Sequence, residues 1–168
     1  MPRNPSARPP DRGLGGAAPD EAFERALAAL ARKERTVSEL EAWLAERGHP
    51  PEQVASAISR LIEDGALDDE RFARRFAEDK RDLRGWGPTR IQEALRARGL
   101  ESGLIEAALS VDGQAEQLER AVSLLERRGE PPVDEASRGR ALAYLARRGY
   151  EVELSYEAVR TCERRTAA

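Results

Sequence analysis

From Asp20 onward the apolar residues recur with a helical period. Phe23, Leu27 and Leu30 stand at i, i+4 and i+7, which places them on one face of a first helix. Thr36-Val37-Ser38-Glu39 has the form of a capping box, with a hydroxyl accepting one orphan amide and Glu39 reaching back to another. A second helix is predicted behind it, carried by Leu40 and Leu44 and closed by Arg47-Gly48. Pro50 and Pro51 mark the start of a third. Its stripe is Val54, Ala57, Ile58, Leu61 and Ile62, and Gly65 ends it. Alternation at period 2 is confined to the short stretch Tyr150–Tyr156, so strands are not expected.

The pattern then returns. Leu-x-x-Arg-Gly occurs at Leu44–Gly48, Leu95–Gly99 and Leu145–Gly149, with Leu40, Ile91 and Ala141 four residues before each leucine. Ile58, Leu109 and Val159 stand ten residues after each glycine. The upstream triplet recurs as Leu118, Val122 and Leu125; in the middle copy Phe72 and Phe76 lead and Leu83 follows a turn late. A further match, Leu125–Gly129, is off-period and reads as a helix end. A repeat of this length signals one supersecondary unit used several times. The prediction is an all-α chain of three tandem three-helix repeats, at 20–66, 67–111 and 113–163, in an elongated, curved array. The third unit has a longer first connection around Glu130-Pro131-Pro132. Residues 1–19 hold five prolines, three glycines and three arginines, and read as a disordered tail; 164–168 are expected to fray.

Composition narrows the function classes. Charged residues make up 35% of the 168, and only two of the 28 basic ones, Lys33 and Lys80, are lysine. No stretch free of charge exceeds seven residues, against the ~20 apolar residues that a membrane-spanning helix needs. The N-terminus lacks the apolar run of a secretory signal. The single cysteine, Cys162, excludes an internal disulfide framework and suits a reducing compartment, so a cytoplasmic protein is expected. A monomer is expected as well, although composition does not give the oligomeric state. A net charge of −3 argues against a generally basic coat for nucleic acid.

Candidates for catalysis are few. Cys162 and His49 lie in different units, and each has a packing role available. Asp68-Asp69-Glu70 suits a helix start, where the dipole favours negative charge, better than a cation site, which needs about six oxygens in a set geometry. Phosphate-binding loops are absent, and neither a cofactor nor a metal is expected. Arg47, Arg98 and Arg148 are each explained as a cation in a last helical turn. The segment Arg71–Arg98 stands out, with nine basic residues against four acids, a local +5. With Phe72 and Phe76 inward, Arg71, Arg74, Arg75 and Arg81 point away from the core. Two readings follow: a solvated face paired with Glu78 and Asp79, or a patch that meets phosphates or an acidic protein surface. Trp86, between Gly85 and Gly87, either folds back onto the core or serves as a binding anchor.

These residues carry a resemblance. Asp68-Asp69-Glu70-Arg71-Phe72-Ala73-Arg74-Arg75-Phe76, followed by Gly87-Pro88-x-x-Ile91-x-x-x-Leu95-x-x-Arg98-Gly99-Leu100, resembles the central signature of the RecX regulatory proteins. Ala26-Leu27 through Leu30-Ala31, Ser38-Glu39-Leu40 and Leu44-x-x-Arg47-Gly48 resemble its companion pattern. The third unit departs, with Ala141 at a position for a large apolar residue, and the chain is acidic overall. The resemblance implies a non-enzymatic regulator. It would bind the RecA recombinase filament on single-stranded DNA and inhibit or destabilise it, with at most a weak direct contact to DNA. Recombination, RecA ATP hydrolysis, coprotease activity, DNA repair and the SOS response would follow from that. Charge geometry then nominates Arg71, Arg74, Arg75, Arg81, Arg84, Trp86 and Arg90 for the partner-binding face. Two alternatives stand beside it: a helix-turn-helix regulator that binds duplex DNA, and a passive helical-repeat scaffold for some other protein.

Overall fold

A computed structural model describes residues 19–167, and all regular structure there is helical. The order is α1 (Pro19–Arg32), α2 (Val37–Ala45), α3 (Pro51–Glu63), α4 (Asp69–Arg84), α5 (Pro88–Ala97), α6 (Ser102–Leu109), α7 (Gln114–Arg128), α8 (Glu135–Arg147) and α9 (Val152–Ala167). Among the described residues, no helix is long and apolar enough to cross a membrane. Helices pack in threes: α1 and α2 on α3, α4 and α5 on α6, α7 and α8 on α9. Three separate apolar cores result, one for each triplet.

The local signals act as their chemistry requires. Thr36 and Glu39 form the capping box of α2. Asp68 caps α4 through the Arg71 amide, and Pro51 and Pro88 open α3 and α5. The off-period Gly129 does end a helix, α7, with φ of 71°. Repeat positions are core positions: Leu40, Ile91 and Ala141 are buried, as are Leu44, Leu95 and Leu145. The residue after each repeated glycine turns back into the core, so His49, Leu100 and Tyr150 are all buried. His49 therefore packs. Cys162 is buried too, and burial pushes its thiol up.

Several expected faces are corrected. Leu27 is exposed, and Ala22, Ala26 and Ala29 fill the core beside Phe23 instead. Leu83 is 78% exposed, while Ala73 and Ala77 pack behind Phe72. Ile62 is also exposed, leaving Val54, Ala57, Ile58 and Leu61 as the stripe. At Leu27 and Leu83 small side chains let helices approach closely, and the longer aliphatic chain falls off the edge of the stripe. Leu67, expected to open the second unit, is buried in the first core. Of the end expected to fray over 164–168, residues 164–167 lie in helix α9, and Ala168 lies outside the described residues. Helix α9 runs to Ala167, held where Arg165 donates to Glu119 and Glu126 of α7. Of the expected tail, residues 1–18 lie outside the described residues, and Pro19 begins α1.

The units are joined end to end through their second helices. At the joint between the second and third units, the C-terminal carbonyls of α8 receive the N-terminus of α5. Gly87 N–H donates to Arg148 O at 2.7 Å and Thr89 N–H to Gly149 O at 3.2 Å. Gly149 has φ of +83°, and any Cβ there would collide with the Arg90 backbone. At the joint between the first and second units, the C-terminus of α5 meets the N-terminus of α2. The fully buried Thr36 donates its hydroxyl to Arg98 O at 2.7 Å. Gly99 approaches so closely that a Cβ would fall 2.5 Å from Ser38 Oγ. Opposite partial charges of the helix ends thus meet at both joints.

Candidate interaction surface

The nominated arginines divide by what they touch. Arg74 and Arg84 are exposed and make no side-chain hydrogen bond or ion pair with the described residues. Arg75 is exposed and bridges to Glu34 of the first unit at 2.7 Å. Arg71 donates to the carbonyl of Gly65 at 3.0 Å, satisfying the end of α3, and lies 3.5 Å from Asp68. Arg90 donates to Arg147 O at 2.8 Å across the second joint and stacks over Trp86 at 4.3 Å. Trp86 is half-buried and packs against the middle core, so it folds back.

Arg81 is a correction. Its side chain is 11% exposed, with Nε 2.7 Å from Asp112, and it donates to Ala108 O at 3.3 Å. Asp112 also takes Arg120 at 2.6 Å, so one carboxylate holds α4 to α7. The turn of α4 that carries Arg81 faces the α6–α7 connection. Neither Glu78 nor Asp79 appears in an ion pair with Arg74, Arg75 or Arg81; those cations look to other elements or to solvent.

The residue that sequence reasoning undervalued is Arg98. Its guanidinium grips Glu39 with both prongs, Nε to Oε1 and a terminal nitrogen to Oε2, each at 2.7 Å. It also donates to Glu34 O at 3.3 Å and lies over Phe72 at 4.2 Å. Arg98 thereby holds Glu39 below the usual carboxylate range. Beside it Asp69 accepts the Val37 amide at 2.9 Å, and burial pushes its carboxyl up. A signal was present in the repeat. Arg47 stacks on Trp43 at 3.7 Å and Arg148 on Tyr144 at 3.9 Å, each four residues back. The corresponding residue before Arg98 is Ala94, so this arginine is released to reach the neighbouring unit.

Among the described residues no cluster of three or more metal-ligating side chains occurs. What the fold and surface define is a tandem three-helix repeat protein, with arginines both locking its joints and standing free on its outer face. Comparison with known proteins places it further. Residues 22–61 match the model of the RecX first three-helix domain, and 68–109 that of the RecX second three-helix domain. The regulatory protein RecX of Halorhodospira halophila is 39% identical over 140 residues, 82% of this chain and 86% of that one. That of Pseudomonas syringae pv. tomato is 38% identical over 131 residues, covering 77% and 83%. The crystal structure of RecX from Lactobacillus salivarius superposes with a TM-score of 0.79 at 20% identity, covering 86% of this chain and 96% of that one. The chain belongs to the RecX family of regulatory proteins.

Proposed function

We propose that this chain is a non-enzymatic regulator of the RecA recombinase, acting in the cytoplasm as a monomer on the RecA filament formed on single-stranded DNA. Membership of a family named for regulation is the observation that carries the reading. The geometry supports it: three similar units in line, each bonded to the next through helix ends, can lie along a partner that is itself periodic. Arg74 and Arg84, exposed on α4 and without an ion pair among the described residues, are the contacts we assign to that partner first. Arg75 can join them by leaving its exposed bridge to Glu34, which costs little. Arg71, Arg90 and Trp86 support the face from behind, and Arg81 belongs to the internal Asp112 lock.

The test is RecA ATP hydrolysis on single-stranded DNA as the chain is titrated in. Inhibition well below one copy per RecA is expected. The double variant Arg74→Glu, Arg84→Glu should keep its melting temperature and need about tenfold more protein for the same inhibition. Full inhibition by that variant would remove the face; no inhibition by the wild type at several-fold excess would remove the function. Duplex DNA without RecA, titrated in parallel, should bind weakly; tight, sequence-dependent binding would favour the helix-turn-helix reading.

A further inference from the structure

On the opposite end of the molecule from the third unit, α1 and α2 enclose a groove of about 410 Å³. Arg25, Arg32, Arg35 and Arg47 line it with Trp43, and no carboxylate does. Four guanidinium groups share one concavity in a chain whose net charge is −3. Arg25 is tied to Glu21 at 2.7 Å, but Arg32 makes no ion pair with the described residues. Nε of Arg35 is buried without a hydrogen-bond partner. An unmet Nε recurs at Arg148 in the third unit, so the crowding of like charges, unfavourable unless an anion joins them, is what marks the groove.

The third unit shows what such an anion looks like. There Tyr144 takes the place of Trp43, flanked by Arg148 at 3.9 Å and Arg128 at 5.1 Å, as Trp43 is flanked by Arg47 at 3.7 Å and Arg35 at 5.4 Å. The chain supplies its own acid to that cluster. Glu130 spans Arg128 and Arg140, at 2.6 Å from each. We propose that the first-unit groove is a docking site for an acidic peptide segment of a protein partner, whose carboxylate takes the place that Glu130 takes in the third unit. Single-stranded nucleic acid fits less well, because it seeks an open aromatic face for its bases, and Arg47 already lies over Trp43. Arginine forks match carboxylates two bonds at a time. The proposal does not rest on the recombinase reading, and its test contains no recombinase.

The full chain would be titrated with hexaglutamate in a calorimeter at about 0.05 M salt, where charges are still felt beyond ~10 Å. Oligothymidylate with six phosphates would be titrated alongside. Saturable one-to-one binding of hexaglutamate, tighter than that of oligothymidylate, is expected. Arg32→Glu, at an exposed site without an ion-pair partner among the described residues, should leave the melting temperature unchanged and weaken binding about tenfold or more. Glu130→Gln should free Arg128 and Arg140 and raise the stoichiometry from one to two. No saturable binding, tighter binding of oligothymidylate, or full affinity in Arg32→Glu would overturn the site. A stoichiometry held at one in Glu130→Gln would overturn the choice of a carboxylate ligand.

Discussion

Arg98 shows how one side chain can serve two units. It spends both prongs on Glu39 and shields Phe72, while its own carbonyl receives Thr36. Lysine offers a point charge rather than a fork, so Arg98→Lys should lose about 1–3 kcal/mol in chemical denaturation despite keeping the charge. The pH dependence follows from the sign of the Glu39 shift. Its carboxyl is held below the ordinary value, so its contribution is present above that value and fades as pH falls through the lowered one. The gap in melting temperature between wild type and Glu39→Gln should therefore be wide at pH 7 and close as the pH falls through and below the ordinary carboxylate range. A gap that persists in strong acid would show that packing, not charge, holds the joint. None of this was legible from a cation at a helix end, because the role is set by Ala94, a missing aromatic that is informative only beside Trp43 and Tyr144.

Helices and their boundaries were legible in the sequence because the punctuation is chemical. Thr36–Glu39, Pro51, Asp68, Pro88 and the repeated glycines each do one thing, and helix ends follow from them. Which side of a helix is inside was less legible. A stripe of alanines competes with leucines at the same period, and the closer helix approach wins, as at Ala22, Ala26 and Ala29 against Leu27. The inward turn of Arg81 had the same origin: its direction depends on Asp112, thirty-one positions on, across a loop. The repeated glycines offer a controlled comparison at this scale. Gly48 and Gly149 share a left-handed backbone, at φ of +80° and +83°, but only Gly149 is pressed against another element. Gly48→Ala should cost about 1 kcal/mol, the ordinary left-handed penalty. Gly149→Ala should cost clearly more in the same denaturation experiment, because α5 must also retreat from α8. Equal losses would mean the second joint yields freely.

Across the whole molecule the two joints differ in kind. The joint between the second and third units is made of backbone groups and a close glycine, with Gly85 pressed on Leu124 beside it. The joint between the first and second units adds ionisable side chains, Glu39, Asp69 and Arg98, to its Thr36 hydroxyl and close Gly99. Salt and acid act on the second kind far more than on the first. Amide protection, corrected for the intrinsic exchange rate, should therefore fall at Val37, whose partner is the Asp69 carboxylate, as pH falls or Arg98 is replaced by Ala. Exchange at Gly87, after correction for intrinsic rate, should stay protected under the same conditions. Parallel loss at both amides would mean that the three units loosen together.

A chain that joins its parts tail to head, each helix end feeding the next, has the makings of a fibre. Carbonyls at the open end of α2 would need a donor on another molecule, and the only unfilled start of a second helix is that of α8. Asp134 stands there. Its backbone amide is taken by Ser137, and its side chain, kept ionised by the Ser137 hydroxyl, accepts and cannot donate. Where Thr36 offers a hydroxyl and Gly87 an amide, Asp134 meets an arriving carbonyl with negative charge.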